Sequence, residues 1–337
     1  MAQFYTTDFF VEVAKGHIPG HSLMAKFGEN PDIPTGGAFE DIWDGGGTYV
    51  PPAAAVAHNV TSTLAGDAGT VLSSGTATGG SLTTLVDSSA TFSTDTVAVG
   101  DAILNDSNVQ IAAVTAVTSE TTLACLGSMR SPNSGLFGKA NAAGDSYRIV
   151  TDASTGASIL HIAGLNASFL DQEEFVVLNG GSDVATSGLY IRQHRARVFG
   201  AVTGTRRGAV GTVTSTTDDV AATVSCQIIA GNNQTLMAIY TVPANKTGFI
   251  LNWWGSMSRA VASAVSDFHL RGGPLDDLQY LLQTRSVTTT GKSDFDYNYR
   301  IPIAIPGGSD IWAEANSNAN LVGVSSGFDI LLVEEGA

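Results

Sequence analysis

A chain of 337 residues can bury at least one full core and leaves room for two or three domains. Sixteen basic residues against thirty-one acidic ones give a net charge of -15, spread along the chain, so phosphate is repelled almost everywhere and nucleic acid is excluded as a partner. Only 14% of residues are charged, which disfavours long surface helices built on Glu/Lys pairs and suits short strands and tight turns.

Residues 1–14 open without a basic segment, a long apolar run or a small-residue cleavage site, and no later stretch has the roughly 18 apolar residues of a membrane span. Phe4, Tyr5, Phe9, Phe10, Val11 and Val13 predict one short helical turn or one strand that packs on something. From Lys15 to Tyr49 the chain holds three prolines and eight glycines among large apolar residues such as Ile18, Leu23, Phe27, Phe39, Ile42 and Trp43. Pro19, Pro31 and Pro34 each push the preceding residue to an extended conformation, and the glycines permit sharp bends. This predicts an extended N-terminal arm over residues 1–44.

Residues 48–63 suit an edge strand, with Pro51 and Pro52 where no ladder donor is needed. Between residues 71 and 151 short apolar pulses recur about every ten residues, each closed by Asn, Asp, Ser or Gly, which predicts a small β-barrel module. The similar segments at 67–70 and 152–156 read as two ends of one loop interrupted by this module. The main domain would then be discontinuous, over 45–70 and 152–337.

Beyond residue 156, ten segments read as strands: ASILHIAGL, EEFVVLNG, GLYIRQHRARVFGAV, AATVSCQIIAG, TLMAIYTV, GFILNWWGSMS, SDFHLRG, DLQYLLQTRSV, SDFDYNYRIPIAI and GFDILLVEE. The clearest alternates Phe295, Tyr297, Tyr299, Ile301, Ile303 and Ile305 with more polar residues, and Pro302 moves it to a sheet edge or marks a bulge. The fold class expected is all-β: an antiparallel, jelly-roll-like β-sandwich with an N-terminal arm and an inserted module.

Catalytic signatures are absent from the sequence: it contains neither Gly-x-Ser-x-Gly nor a phosphate-binding Gly-Lys-Ser/Thr loop. His17 and His21 stand four apart, a spacing that carries little meaning in a Gly/Pro-rich arm, so no metal site is expected. Asp294 and Asp296 read as the solvated side of an edge strand. Cys125 and Cys226 lack metal spacing and are expected as free, buried thiols of a protein made in a reducing cytoplasm. Of the adjacent Trp253 and Trp254, one should face the core and the other fill a subunit interface or stack on sugar. Arg192, Arg195 and Arg197, with Arg206 and Arg207, suggest pairing with an acidic surface of a second subunit.

The segments GHIPGHSLMAKFGENPDI and FEDIWDGGGTY, with QTLMAIYTVPANKTGFILNWWGS and SDIWAEANSNANLVGVSSGFDILLVE, resemble a family of tailed-bacteriophage virion structural proteins. The 71–151 stretch resembles a small β-module common in phage structural proteins. The resemblance implies a non-enzymatic capsid decoration, or cement, protein without cofactors. It would form a homotrimer that docks on the major capsid protein and sits on the virion surface after assembly in the host cytoplasm. The alternative it implies is a tail-associated adaptor or fibre-like receptor binder, with the inserted module contacting host-surface glycan. On either reading neither nucleic acid nor membrane is a partner. The partner-binding residues expected are Phe9, Phe10, Ile18, His21, Leu23, Lys26, Phe27, Phe39 and Trp43.

Overall fold

The structure, a computed structural model, describes residues 8–126, 140–152, 156–200, 208–220, 222–258, 263–274, 280–291 and 293–336. The chain is all-β: its named strands pair antiparallel, and one helix, Phe9–Ala14, is present among the described residues. Two compact units divide it. The first comprises Met1–Pro51, Leu165–Asp171 and Leu236–Ala337, the second Pro52–Gly164 and Gln172–Thr235.

Two sheets enclose the core of the first unit. One runs in the order His21–Ile33, Val322–Glu334, Lys246–Ser258, Asp294–Ile305. The other runs Ile239–Thr241, Ser309–Ser317, Val265–Pro274, Tyr280–Thr288, with the short strand Glu40–Asp41 also paired to Ser309–Ser317. Alternate residues of both sheets meet in one apolar cluster that includes Ile250, Trp253, Phe328 and Ile330 from the first and Tyr240, Phe268, Leu270 and Ile311 from the second. Trp253 is fully buried, its indole N–H donating to Ser326 Oγ at 3.0 Å and its ring meeting Phe295 edge-on at 4.6 Å. A buried indole needs such an acceptor, because a stranded N–H would cost more than the bond gains.

The segment expected as an extended docking arm is woven into this unit from His21 onward. His21–Ile33 pairs with the C-terminal strand from His21 opposite Val333 to Ile33 opposite Val322. Ile33, Ile42 and Trp43 are buried, the first two within the central apolar cluster. Ile42 N–H donates to Ala313 and its carbonyl accepts from Ala238. Gly28 allows this approach, since a Cβ there would lie 2.2 Å from the Ile42 carbonyl oxygen.

Asp294–Ile305 is an edge strand, and its pairing skips from Asn298 opposite Asn252 to Ile303 opposite Ile250. The expected alternation therefore breaks at one place: Ile301 is 84% exposed, while Phe295 and Ile305 are buried. Pro302, which cannot donate to a ladder, lies within the irregular stretch.

In the second unit a seven-stranded sheet begins in chain order with Gly69–Thr76 and ends with Ser146–Asp152, which pair with each other, Gly69 opposite Asp152. Its core gathers Leu85, Phe92, Ile103, Val114, Leu123 and Ile149. A second cluster, with Val60, Leu160, Ile162, Val198, Val213 and Ile228, is shared by a three-stranded and a four-stranded sheet. Cys125 and Cys226 are buried and form no disulfide among the described residues. Arg192 and Arg195, expected on a surface, are 4% and 9% exposed on the strand Arg192–Phe199; Arg206 and Arg207 lie outside the described residues.

Asp67 fastens the point where the chain passes into the seven-stranded sheet. Its fully buried carboxylate accepts from Ser62 Oγ (2.6 Å) and from the amides of Ala157 (2.8 Å), Val210 (2.9 Å) and Gly211 (2.8 Å). Asp67→Ala strands all four donors and is expected to cost about 3 kcal/mol, measured by denaturant unfolding.

Candidate functional site

Two features of the first unit stand out as surfaces for binding. The first is the outer face of the sheet that carries His21–Ile33. Side chains alternate along a strand, so with Met24 packed against the core the residues His21, Leu23, Ala25 and Phe27 point away from it. Across the ladder Leu23 faces Leu331, which faces Phe249; Phe27 faces Gly327, which faces Trp254. Trp254 lies over Gly327, where a Cβ would sit 2.6 Å from the ring. Leu23 is exposed, and Phe27, Phe249, Trp254 and Leu331 are half-buried, so the face is open and presents apolar side chains on either side of the polar row of Asp329 and Asn252.

The helical turn Phe9–Ala14 belongs to the same feature, with the Phe9 ring 5.9 Å from that of His21. Asp8 caps it, accepting from the amides of Phe10 at 2.9 Å and Val11 at 3.3 Å. Phe9, Phe10 and Val11 are 45%, 44% and 40% exposed, whereas Glu12 and Val13 are buried. Glu12 is held by Lys15 at 3.1 Å and by His17 at 2.7 Å. His21 Nδ1 lies 2.9 Å from the Pro19 carbonyl oxygen. The two histidines thus have separate local partners, and no metal-binding group of three occurs among the described residues.

The second feature is a cavity of about 290 Å³ lined by Phe39, Asp41, Tyr49, Arg271, Trp312 and Glu314, together with Asp310 and Ile239. On the strand Ser309–Ser317, Ile311, Ala313 and Ala315 enter the core. Asp310, Trp312 and Glu314 therefore share the opposite face, and Arg271 stands opposite Trp312 on the next strand. Asp41 stands directly opposite Glu314 on the other side. Glu314 Oε1 takes Arg271 Nε at 2.5 Å and lies 3.0 Å from His269 Nδ1, and the His269 ring stacks on Phe39 at 3.9 Å. Thr241 Oγ1 donates to Asp310.

Asp41 is 7% exposed; Oδ2 accepts the Tyr49 amide at 2.7 Å, and its other oxygen accepts no hydrogen bond from the described residues. Burial, reinforced by the facing Glu314 and neighbouring Glu40, pushes its pKa from 3.8 up to about 7, although the Tyr49 amide and Arg271 pull it down.

No family model and no curated protein matches the chain.

The residues expected to bind a partner are thus distributed over three places. Phe9, Phe10, His21, Leu23 and Phe27 belong to the apolar face and its margin, with Ile18 half-buried in the connection between helix and strand. Lys26 is 3% exposed on the core side of the same strand, and Trp43 is buried with its indole N–H on Gly47 O at 3.1 Å. Phe39 lines the cavity. Sequence reasoning missed Asp41, Arg271, Asp310, Trp312 and Glu314. The signal available was the alternation Asp310, Trp312, Glu314 against Ile311, Ala313, Ala315.

Proposed function

We propose that the chain is a non-enzymatic virion structural protein of a tailed bacteriophage, a capsid decoration protein that docks on the major capsid shell. The observation that carries this reading is the helical turn that leaves Phe9, Phe10 and Val11 exposed beside the sheet face that carries Leu23, Phe27 and Trp254. A chain that buries Glu12 and exposes two phenylalanines next to such a face is built to be covered. The occupant proposed is the capsid shell, in keeping with the family resemblance of these same segments, and the unit of attachment is a homotrimer on the virion surface after assembly in the host cytoplasm.

The finer fold reading belongs to the same proposal. Taking the eight principal strands of the first unit in chain order, one sheet reads first, eighth, third, sixth and the other second, seventh, fourth, fifth. This order supports the reading of the unit as a jelly-roll sandwich, a scaffold common in viral capsid proteins.

Burial of each phenylalanine is worth roughly 1.5–3 kcal/mol, multiplied by avidity in a trimer. Phe9→Asp/Phe10→Asp is expected to lower co-sedimentation with undecorated capsid shells at least tenfold, while light scattering still reports three copies. Undiminished sedimentation would overturn the docking role, and binding to tails instead of heads would overturn the capsid assignment.

A further inference from the structure

We propose that the cavity over the strand Ser309–Ser317 binds an alkylammonium cation, the group carried by a lysine side chain or a free primary amine. The proposal does not rest on the docking reading, because the cavity and the docking face lie on different sheets of the first unit.

Charge comes first. Asp41, Asp310 and Glu314 line the cavity against a single Arg271, and Arg271 is committed to Glu314. Glu40 adds a further negative charge beside Asp41. An anionic ligand would be repelled, and a cation would relieve the repulsion between Asp41 and Glu314, which stand opposite each other on neighbouring strands.

The walls decide which cation. Phe39, Tyr49 and Trp312 contribute aromatic surface, which attracts an ammonium group through the ring quadrupole and covers its alkyl stem. A hard metal ion would need oxygen ligands converging on one point, and no group of three suitable side chains does so among the described residues. The volume, about 290 Å³, suits one side-chain-sized group.

The unpartnered oxygen of Asp41 completes the site. This side chain is buried to nine-tenths, lines the cavity, and uses only Oδ2 for the Tyr49 amide. Its second oxygen opens to the cavity, where a ligand donor can meet it. Burial, with Glu314 and Glu40 nearby, keeps Asp41 protonated up to about pH 7 without a ligand. Cation binding therefore expels one proton, and affinity rises with pH. The groups facing Asp41 are Glu40, Glu314, Arg271 and the Tyr49 amide, with His269 behind Glu314.

The test is an NMR titration of the full chain with n-butylammonium. Saturable binding is expected, about tenfold tighter at pH 8 than at pH 6, as one proton is released by a group of pKa about 7. Asp41→Asn should weaken binding about tenfold and abolish the pH dependence. Trp312→Ala should weaken binding and retain it. Thermal melting of both variants verifies that the first unit is folded. Equal binding of n-butanol, tighter binding of Ca²⁺ at the same resonances, or unchanged binding by folded Asp41→Asn would overturn the proposal. A lysine peptide and its N-acetyl-lysine counterpart distinguish the sources. Preference for the lysine peptide over the free amine assigns a partner's lysine, and equal affinity assigns a free amine; both outcomes support the site.

Discussion

Deleting residues 1–44 is expected to abolish cooperative folding of the first unit, whereas Phe9→Asp/Phe10→Asp leaves its melting temperature within a few degrees of the parent. The deletion removes a 13-residue strand and leaves Val322–Glu334 without its neighbour along one edge. It also takes Ile33, Ile42 and Trp43 out of the interior. Loss of buried side chains of this size costs about 2–5 kcal/mol each, so three of them already approach the roughly 5–15 kcal/mol by which a domain is stable. Unpaired backbone donors and acceptors add to that. The measurement is near-ultraviolet circular dichroism during thermal melting, which follows the packing of Trp253. A deletion variant that keeps a sharp transition would mean that the N-terminal strand is an accessory to this unit. The two surface aspartates, by contrast, replace side chains already 45% and 44% exposed, and such substitutions change stability little. Docking can therefore be tested without disturbing the fold, which deletion of the whole segment cannot do.

The same segment separates what the sequence disclosed from what it hid. Composition and period-two patterning were enough for an all-β antiparallel chain, because strands such as Asp294–Ile305 carry their pattern locally. Glycine and proline density made Lys15–Tyr49 look unstructured. Its strand is specified by a partner about three hundred residues away, with Lys26 opposite Phe328, and local propensity holds no record of that pairing. The placement of Lys26 shows the difficulty most directly. Phe27 is the more apolar of the two, yet Lys26 takes the core side because Gly28, on the same parity as Lys26, must sit against the Ile42 carbonyl. One close approach fixed the parity of the strand, and the apolar side chains at 23 and 27 were left on the outside.

The cavity was hidden for another reason. Asp41 and Glu314 are unremarkable acids in sequence and become a pair only when Glu40–Asp41 joins the edge of Ser309–Ser317. The Arg192–Arg195 cluster misled in the opposite sense: alternation within Arg192–Phe199 is polar on both faces, and the strand is buried on both.

Keeping Asp41 buried opposes stability, and Asp41→Asn is expected to stabilise the first unit above pH 7 by as much as about 4 kcal/mol, three pKa units at 1.36 kcal/mol each. The sign follows from proton linkage. With a pKa raised from 3.8 to about 7, the folded state binds more protons than the unfolded state between those values. The stabilising proton is fully bound below about pH 4 and is lost as the pH rises towards 7. The variant has no such proton, so its advantage vanishes near pH 4, grows through pH 5 and 6 and levels off above 7. His58 works in the other direction in the second unit. Burial lowers its pKa from 6.5 to about 4, so that unit gains stability as the pH rises between those values. Calorimetry that resolves two transitions would assign the Asp41 slope to one and the His58 slope to the other. A pH-independent difference between Asp41→Asn and its parent would mean that the Asp41 pKa is not raised by folding. A carboxylate retained at such a cost to stability is most simply explained by a function for its charge. The variant that best stabilises the first unit is then the one that loses the alkylammonium ligand.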